Sequence, residues 1–177
     1  MALALREKGI ATKIVGADAS EQNLARAVQL GIIDEAVSLD GLADADLVIV
    51  SVPVDKIAGV VSEVLDIVSE KTVVVDMGST KGLICEELAD HPMRSRFVAS
   101  HPIAGTENSG PDASFASLFE GKLMILCDIG QSDADAVESA REIYTKLGMR
   151  ITEMESRSHD RHMAYVSHLS HVSAYML

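Results

Sequence analysis

Four stretches of the sequence bring together residue types able to do chemistry. The richest is His101-Pro102-Ile103-Ala104-Gly105-Thr106-Glu107-Asn108-Ser109-Gly110. An imidazole titrates near working pH, so His101 could serve as a general base or a polarising donor. The plainer alternative is a ring satisfied by a backbone carbonyl. Pro102 stiffens the turn, while Gly105 and Gly110 permit a loop that folds over a ligand. Upstream, Asp76-Met77-Gly78-Ser79-Thr80-Lys81-Gly82 follows a very apolar run. Gly78 would let backbone approach a ligand closely, and Ser79 or Thr80 would cap a helix beginning near Lys81, whose first amides attract anions. An ordinary capped turn is the competing reading.

Asp18 and Ser51-Val52-Pro53-Val54 each follow a β-branched run. A carboxylate at such a strand end can accept both ribose hydroxyls of an adenosine, and it repels a 2′-phosphate. Residue 19 is Ala rather than Arg, which tilts the choice to NAD. Equally, Asp18 could cap the next helix, and Ser51 and Pro53 could form a plain turn. Four of the six histidines crowd between His159 and His171. At about 100° per residue, His168 and His171 project opposite His159 and His162, so no single metal site is expected. A helix facing a polar crevice or a subunit interface fits better.

These stretches need a scaffold, and the sequence supplies short β-branched runs alternating with helical segments. Helices are expected at 2–8, 21–30, from Pro53 to 68, from Lys81, and at 133–147. Strands are expected at 13–17, 46–51, 72–76, 96–99, 123–127 and 149–152, with a further helix from Ser156. The reading is α/β, a doubly wound parallel sheet covered on both faces. In such sheets ligands sit at the carboxyl ends of the strands. Nothing precedes helix 2–8, and Ala174-Tyr175-Met176-Leu177 stops in mid-helix. The central first strand and its glycine-rich phosphate turn are therefore expected before Met1.

Composition narrows the function. Fifteen Lys and Arg against 27 Asp and Glu leave a net charge of −12 over 177 residues. That field disfavours nucleic acid and anionic membrane surfaces, and the absence of Trp removes the best stacking platforms. Two cysteines make no disulfide framework and suit a reducing cytoplasm. No apolar run approaches the roughly 20 residues that span a bilayer.

Asp76–Lys81, His101–Gly110, Leu118-Phe119-Glu120-Gly121-Lys122 and His159-Asp160 with Ser167-His168-Leu169-Ser170-His171 together resemble the prephenate dehydrogenase family of tyrosine biosynthesis. The resemblance runs along essentially the whole chain. It implies a Rossmann-like NAD-binding domain over 1–153 and the start of an all-helical dimerisation domain over 154–177. It also implies NAD-dependent oxidative decarboxylation of prephenate in a homodimer. On this reading His101 is catalytic and is oriented by Ser79. Gly105, Thr106, Glu107, His168 and His171 lie at the substrate, and Asp18, Ser51, Pro53, Asp76, Gly78 and Ser79 at the cofactor. The family commonly has Pro where Ser170 stands, and its carboxylate-gripping arginine would lie beyond Leu177. The rival readings are arogenate as substrate, another nicotinamide-dependent enzyme, or a non-catalytic dinucleotide-binding module. The 177 residues alone are expected to bind NAD poorly and turn over no prephenate.

Overall fold

In a computed structural model of the chain, residues 1–105 and 110–165 are described. Helices α1 (Ala2–Glu7), α2 (Glu21–Gln29), α3 (Ile57–Ile67), α4 (Gly82–Glu87), α5 (Ala134–Lys146) and α6 (Ser156–Met163) alternate with strands β1 (Val15–Gly16), β2 (Glu35–Ala36), β3 (Leu47–Val50), β4 (Val73–Asp76), β5 (Phe97–Pro102), β6 (Leu123–Cys127) and β7 (Arg150–Met154). The last five strands form one sheet in the order β3-β4-β5-β6-β7, and β1 and β2 pair separately.

Strict alternation along the central strands divides the core. Val74, Phe97, Ala99, Ile125 and Cys127 face one layer with α3 and α4 residues Ile57, Val61, Leu65, Ile84 and Leu88. Val73, Val75, Val98, Met124 and Leu126 face the other, with α1 and α5 residues Leu5, Ala136, Ala140 and Tyr144. Burial on both faces is why these strands read as unbroken apolar runs. It also pushes the thiols of Cys85 and Cys127 up to about 12, so both stay protonated.

One sequence expectation needs correction. β3, β4 and β5 are parallel, but β6 runs antiparallel to β5, with His101 opposite Ile125. A parallel neighbour needs a crossover, usually a helix. The described parts of the 103–122 connection carry only short 3₁₀ turns, Pro111–Ala113 and Ala116–Phe119. Both its ends stay at the same sheet edge, where the Ile103 amide bonds the Leu123 carbonyl. β5 also runs further than expected, so His101 and Pro102 lie within the strand.

β1, the β3 edge and residues of α1 and α5 line an open groove of about 1060 Å³ whose lining includes Asp18 and Ser51. Among the described residues, β3 pairs with β4 alone. α6 leaves β7 level with Cys127 and packs against α4 on the Phe97–Ala99 face of the sheet.

A buried ion pair fastens β4 to β5. Asp76 and Lys81 are fully buried and bonded to each other, and the Lys81 ammonium also donates to the Ser100 carbonyl at 2.9 Å. Asp76 accepts from the Gly78 and Ser100 amides at 2.9 and 3.0 Å. Removing one partner strands a charge in the core, which costs about 3–5 kcal/mol. Lys81→Met is therefore expected to lower the urea-unfolding free energy by about that amount, and Asp76→Asn added to it should recover much of the loss. A single variant as stable as wild type would contradict the pairing.

Candidate active site

The sequence-selected residues gather at the carboxyl ends of the parallel strands. Ser51 and Pro53 are exposed just after β3, Ser79 is exposed after β4, and half-buried His101 stands in the last turn of β5. Asp18 is exposed just after β1, where its carboxylate accepts the Ser20 amide at 2.7 Å. Its second oxygen makes no hydrogen bond among the described residues. The Ser20 hydroxyl accepts from the Asn23 amide and caps α2 as its side chain requires. Gly105 is exposed at the start of the loop beyond β5. Thr106, Glu107, His168 and His171 lie outside the described residues.

Two residues carry structural roles in the core, and one local expectation, the helix cap, is overturned. The Asp76 carboxylate does not face the crevice, because Lys81 and two backbone amides consume it in the core. Gly78 is needed for internal packing, since a Cβ there would fall 2.5 Å from Ile57 Cδ1 and 2.9 Å from Asp76 Oδ2. Neither Ser79 nor Thr80 caps α4. That cap comes from Asp160 on α6, whose oxygens accept the Lys81 amide at 2.7 Å and the Gly82 amide at 2.8 Å.

The same carboxylate reaches His101 through a second imidazole. His159 is completely buried; its Nδ1 lies 2.8 Å from Asp160 Oδ1 and its Nε2 lies 2.9 Å from His101 Nδ1. The rings meet edge to face at 73°. The resemblance gives Ser79 the task of orienting His101, but Ser79 makes no hydrogen bond to it among the described residues. His159 is the side chain that bonds the His101 ring. The sequence offered the pair only as a quoted motif without a role, because 58 residues separate His101 from His159.

Burial, the neighbouring His159 and the Lys81 charge lower the His101 pKa from 6.5 to about 4, against an opposing pull from Asp160. The ring is therefore neutral at neutral pH, with a lone pair to offer. Burial acts to raise the Asp160 pKa, but the hydrogen bonds from His159, Lys81 and Gly82 outweigh it and hold the carboxyl below its usual range. Among the described residues, no group of three or more His, Cys, Asp or Glu side chains could hold a metal ion. None of the described helices is long and apolar enough to cross a membrane.

A parallel-dominated sheet with its polar turns collected at one strand edge defines the dinucleotide-binding α/β class. The chain belongs to the prephenate dehydrogenase family: residues 1–153 match the family model described as prephenate dehydrogenase, nucleotide-binding domain. Cyclohexadienyl dehydrogenase of Zymomonas mobilis is 37% identical over 155 residues, which is 86% of this chain and 52% of that protein. Prephenate dehydrogenase of Bacillus subtilis is 30% identical over 179 residues, 98% of this chain and 48% of that protein. The chain thus spans about half the length of the curated relatives it matches. The crystal structure of prephenate dehydrogenase from A. aeolicus, in complex with hydroxyphenyl propionate and NAD+, aligns with a TM-score of 0.91. Identity there is 35%, covering 99% of this chain and 62% of that one.

The His101 shift has a measurable consequence. An unfolded histidine binds its proton near 6.5, ahead of the folded one near 4, so falling pH favours the unfolded chain across that window. Ring-proton NMR is expected to show His101 titrating near pH 4, with stability from this group declining between about 6.5 and about 4. A midpoint at the ordinary 6.5 would contradict the burial and charge environment described.

Proposed function

We propose that this chain is the NAD-binding half of an enzyme that converts prephenate to 4-hydroxyphenylpyruvate by oxidative decarboxylation. The observation that carries the proposal is a neutral, half-buried imidazole at the strand edge, in a chain of this family. His101 accepts the proton of the substrate ring hydroxyl as that ring carbon gains carbonyl character. NAD, when bound, supplies the acceptor for the hydride that leaves the same carbon. Loss of the ring carboxylate as carbon dioxide then yields an aromatic ring, which makes the conversion irreversible.

The chain's own residues fit that cofactor. Asp18 presents an exposed carboxylate at the groove with one oxygen uncommitted among the described residues, suited to ribose hydroxyls and hostile to a 2′-phosphate. Ser51 borders the same groove after β3, Pro53 follows it two residues on, and exposed Ser79 stands between the groove and His101 in strand order. Gly78 supports the turn from beneath.

On the substrate side, the family resemblance assigns Gly105, Thr106 and Glu107, the last two outside the described residues. His171 or His168 reaches the substrate side chain. Residues 1–153 form the nucleotide-binding domain, and 154–177 begin a helical region through which two copies pair. Reducing cytoplasm suits the two buried free thiols. An arogenate-using enzyme would employ the same His101 chemistry, and turnover with each substrate separates the two.

The test is NADH formation followed by absorbance with the intact protein, prephenate and NAD. His101→Asn is expected to lower kcat by about 10²-fold or more, the scale of acid–base assistance. Near-wild-type turnover in a folded variant would remove His101 from the chemistry and leave the binding-module reading in its place.

A further inference from the structure

Hydrogen-bond polarity along Asp160, His159 and His101 can be read from one end. An ionised carboxylate only accepts, and Asp160 is held ionised by the Lys81 and Gly82 amides. His159 must then carry its proton on Nδ1. A neutral His159 has a lone pair on Nε2, and the atom 2.9 Å away is His101 Nδ1. With His159 neutral, that contact is a hydrogen bond only if His101 donates through Nδ1. The remaining nitrogen, Nε2, is then unprotonated.

We infer that His159 and Asp160 are positioning residues which hold His101 as its Nδ1–H tautomer and keep its Nε2 lone pair ready to take a proton. The use of that lone pair rests on the function proposed above, whereas the tautomer is a property of the chain itself.

The surroundings are built for this chain of bonds. His159 has no solvent exposure, so water cannot substitute for either of its partners. Asp160 is seated by the amides at the start of α4, and a Cβ at Gly82 would come within 2.9 Å of Asp160 Oδ2. Glycine at 82 therefore leaves room for the carboxylate. The arrangement also serves the charged state. When His101 gains a proton on Nε2, its positive charge lies one imidazole away from a carboxylate already ionised, and no group has to move. A carboxylate behind a catalytic histidine acts this way in hydrolytic triads, where it sets the tautomer and stabilises the imidazolium. Here an extra ring lengthens the line. A role in packing alone would fill the same space but would not dictate which His101 nitrogen carries hydrogen.

The test uses the intact protein labelled with ¹⁵N-histidine, read by long-range ¹H–¹⁵N spectra near pH 7. Wild type is expected to show His101 protonated on Nδ1 and bare on Nε2. His159→Leu removes the acceptor and is expected to move the proton to Nε2, with kcat falling about 10²-fold and KM little changed. His159→Gln, whose side-chain oxygen can accept, is expected to restore the tautomer and much of kcat. Asp160→Asn, which no longer enforces the polarity, should give a mixture. A wild-type His101 protonated on Nε2 would overturn the inference without any substitution, so failure of the leucine variant to fold would not protect it. A folded His159→Leu protein with an unchanged tautomer and wild-type kcat would overturn it too. Should the tautomers follow the inference while prephenate yields no NADH, the assigned reaction fails and the positioning stands.

Discussion

A carboxylate at the centre of an apolar sheet has to be matched, and the way Asp76 is matched decides where the neighbouring residues stand. Its charge is met by Lys81 from the following turn and by the Ser100 amide from the next strand. The Lys81 ammonium then returns to the Ser100 carbonyl. Both backbone groups of the residue before His101 are thereby tied to the end of β4. Buried pairs of this kind add little net stability compared with an apolar core, because desolvation opposes the attraction. What they do well is select geometry, since a displaced partner would leave a bare charge. The turn 76–82 and the last residues of β5 consequently form one rigid corner.

Asp160 performs a parallel service from outside that corner. It reaches α4 through the Lys81 and Gly82 amides, and His101 through His159. Lys81 is common to both carboxylates: its ammonium bonds Asp76 and its amide bonds Asp160. The groups that place the imidazole are therefore covalently close to the groups that shape the turn beside it. By contrast, Asp18, Ser51 and Ser79 are exposed and lightly bonded, as surfaces that receive a ligand must be. Order is concentrated beneath the site and openness above it.

The parts of this arrangement legible in the sequence are those set by local periodicity. Continuous valine runs marked β4, and the Ser20 cap and Gly31 bracket α2 as expected. The ribbon strand β2 escaped notice because two residues, Glu35 and Ala36, carry no pattern. The direction of β6 was illegible for another reason. A strand's own sequence does not encode which way it runs, and a loop of turns permits the antiparallel return. Capping failed similarly: Ser79 and Thr80 are good caps by type, yet a carboxylate 78 residues away took the role. Period-two reasoning did hold the key to the face of His101. Phe97 and Ala99 face the α3–α4 layer, so the imidazole two residues on faces it as well, where α6 also packs. What no local rule supplies is that α6 sets a second imidazole there.

A histidine whose pKa has fallen to about 4 is always unprotonated at neutral pH, but it is also a weak base. It cannot strip a proton from an ordinary alcohol as a separate first step, because the driving force is far too small. In the proposed reaction, proton transfer to His101 becomes favourable as hydride leaves, when the hydroxyl of an incipient carbonyl is strongly acidic. A ring this weakly basic favours overlap of the two transfers. In that overlap the imidazole becomes cationic, and the causes of its low pKa turn into costs to be offset. Burial, His159 and Lys81 oppose the cation, while Asp160 favours it. In the proposed reaction, the balance between these neighbours is what tunes the ring as a proton acceptor.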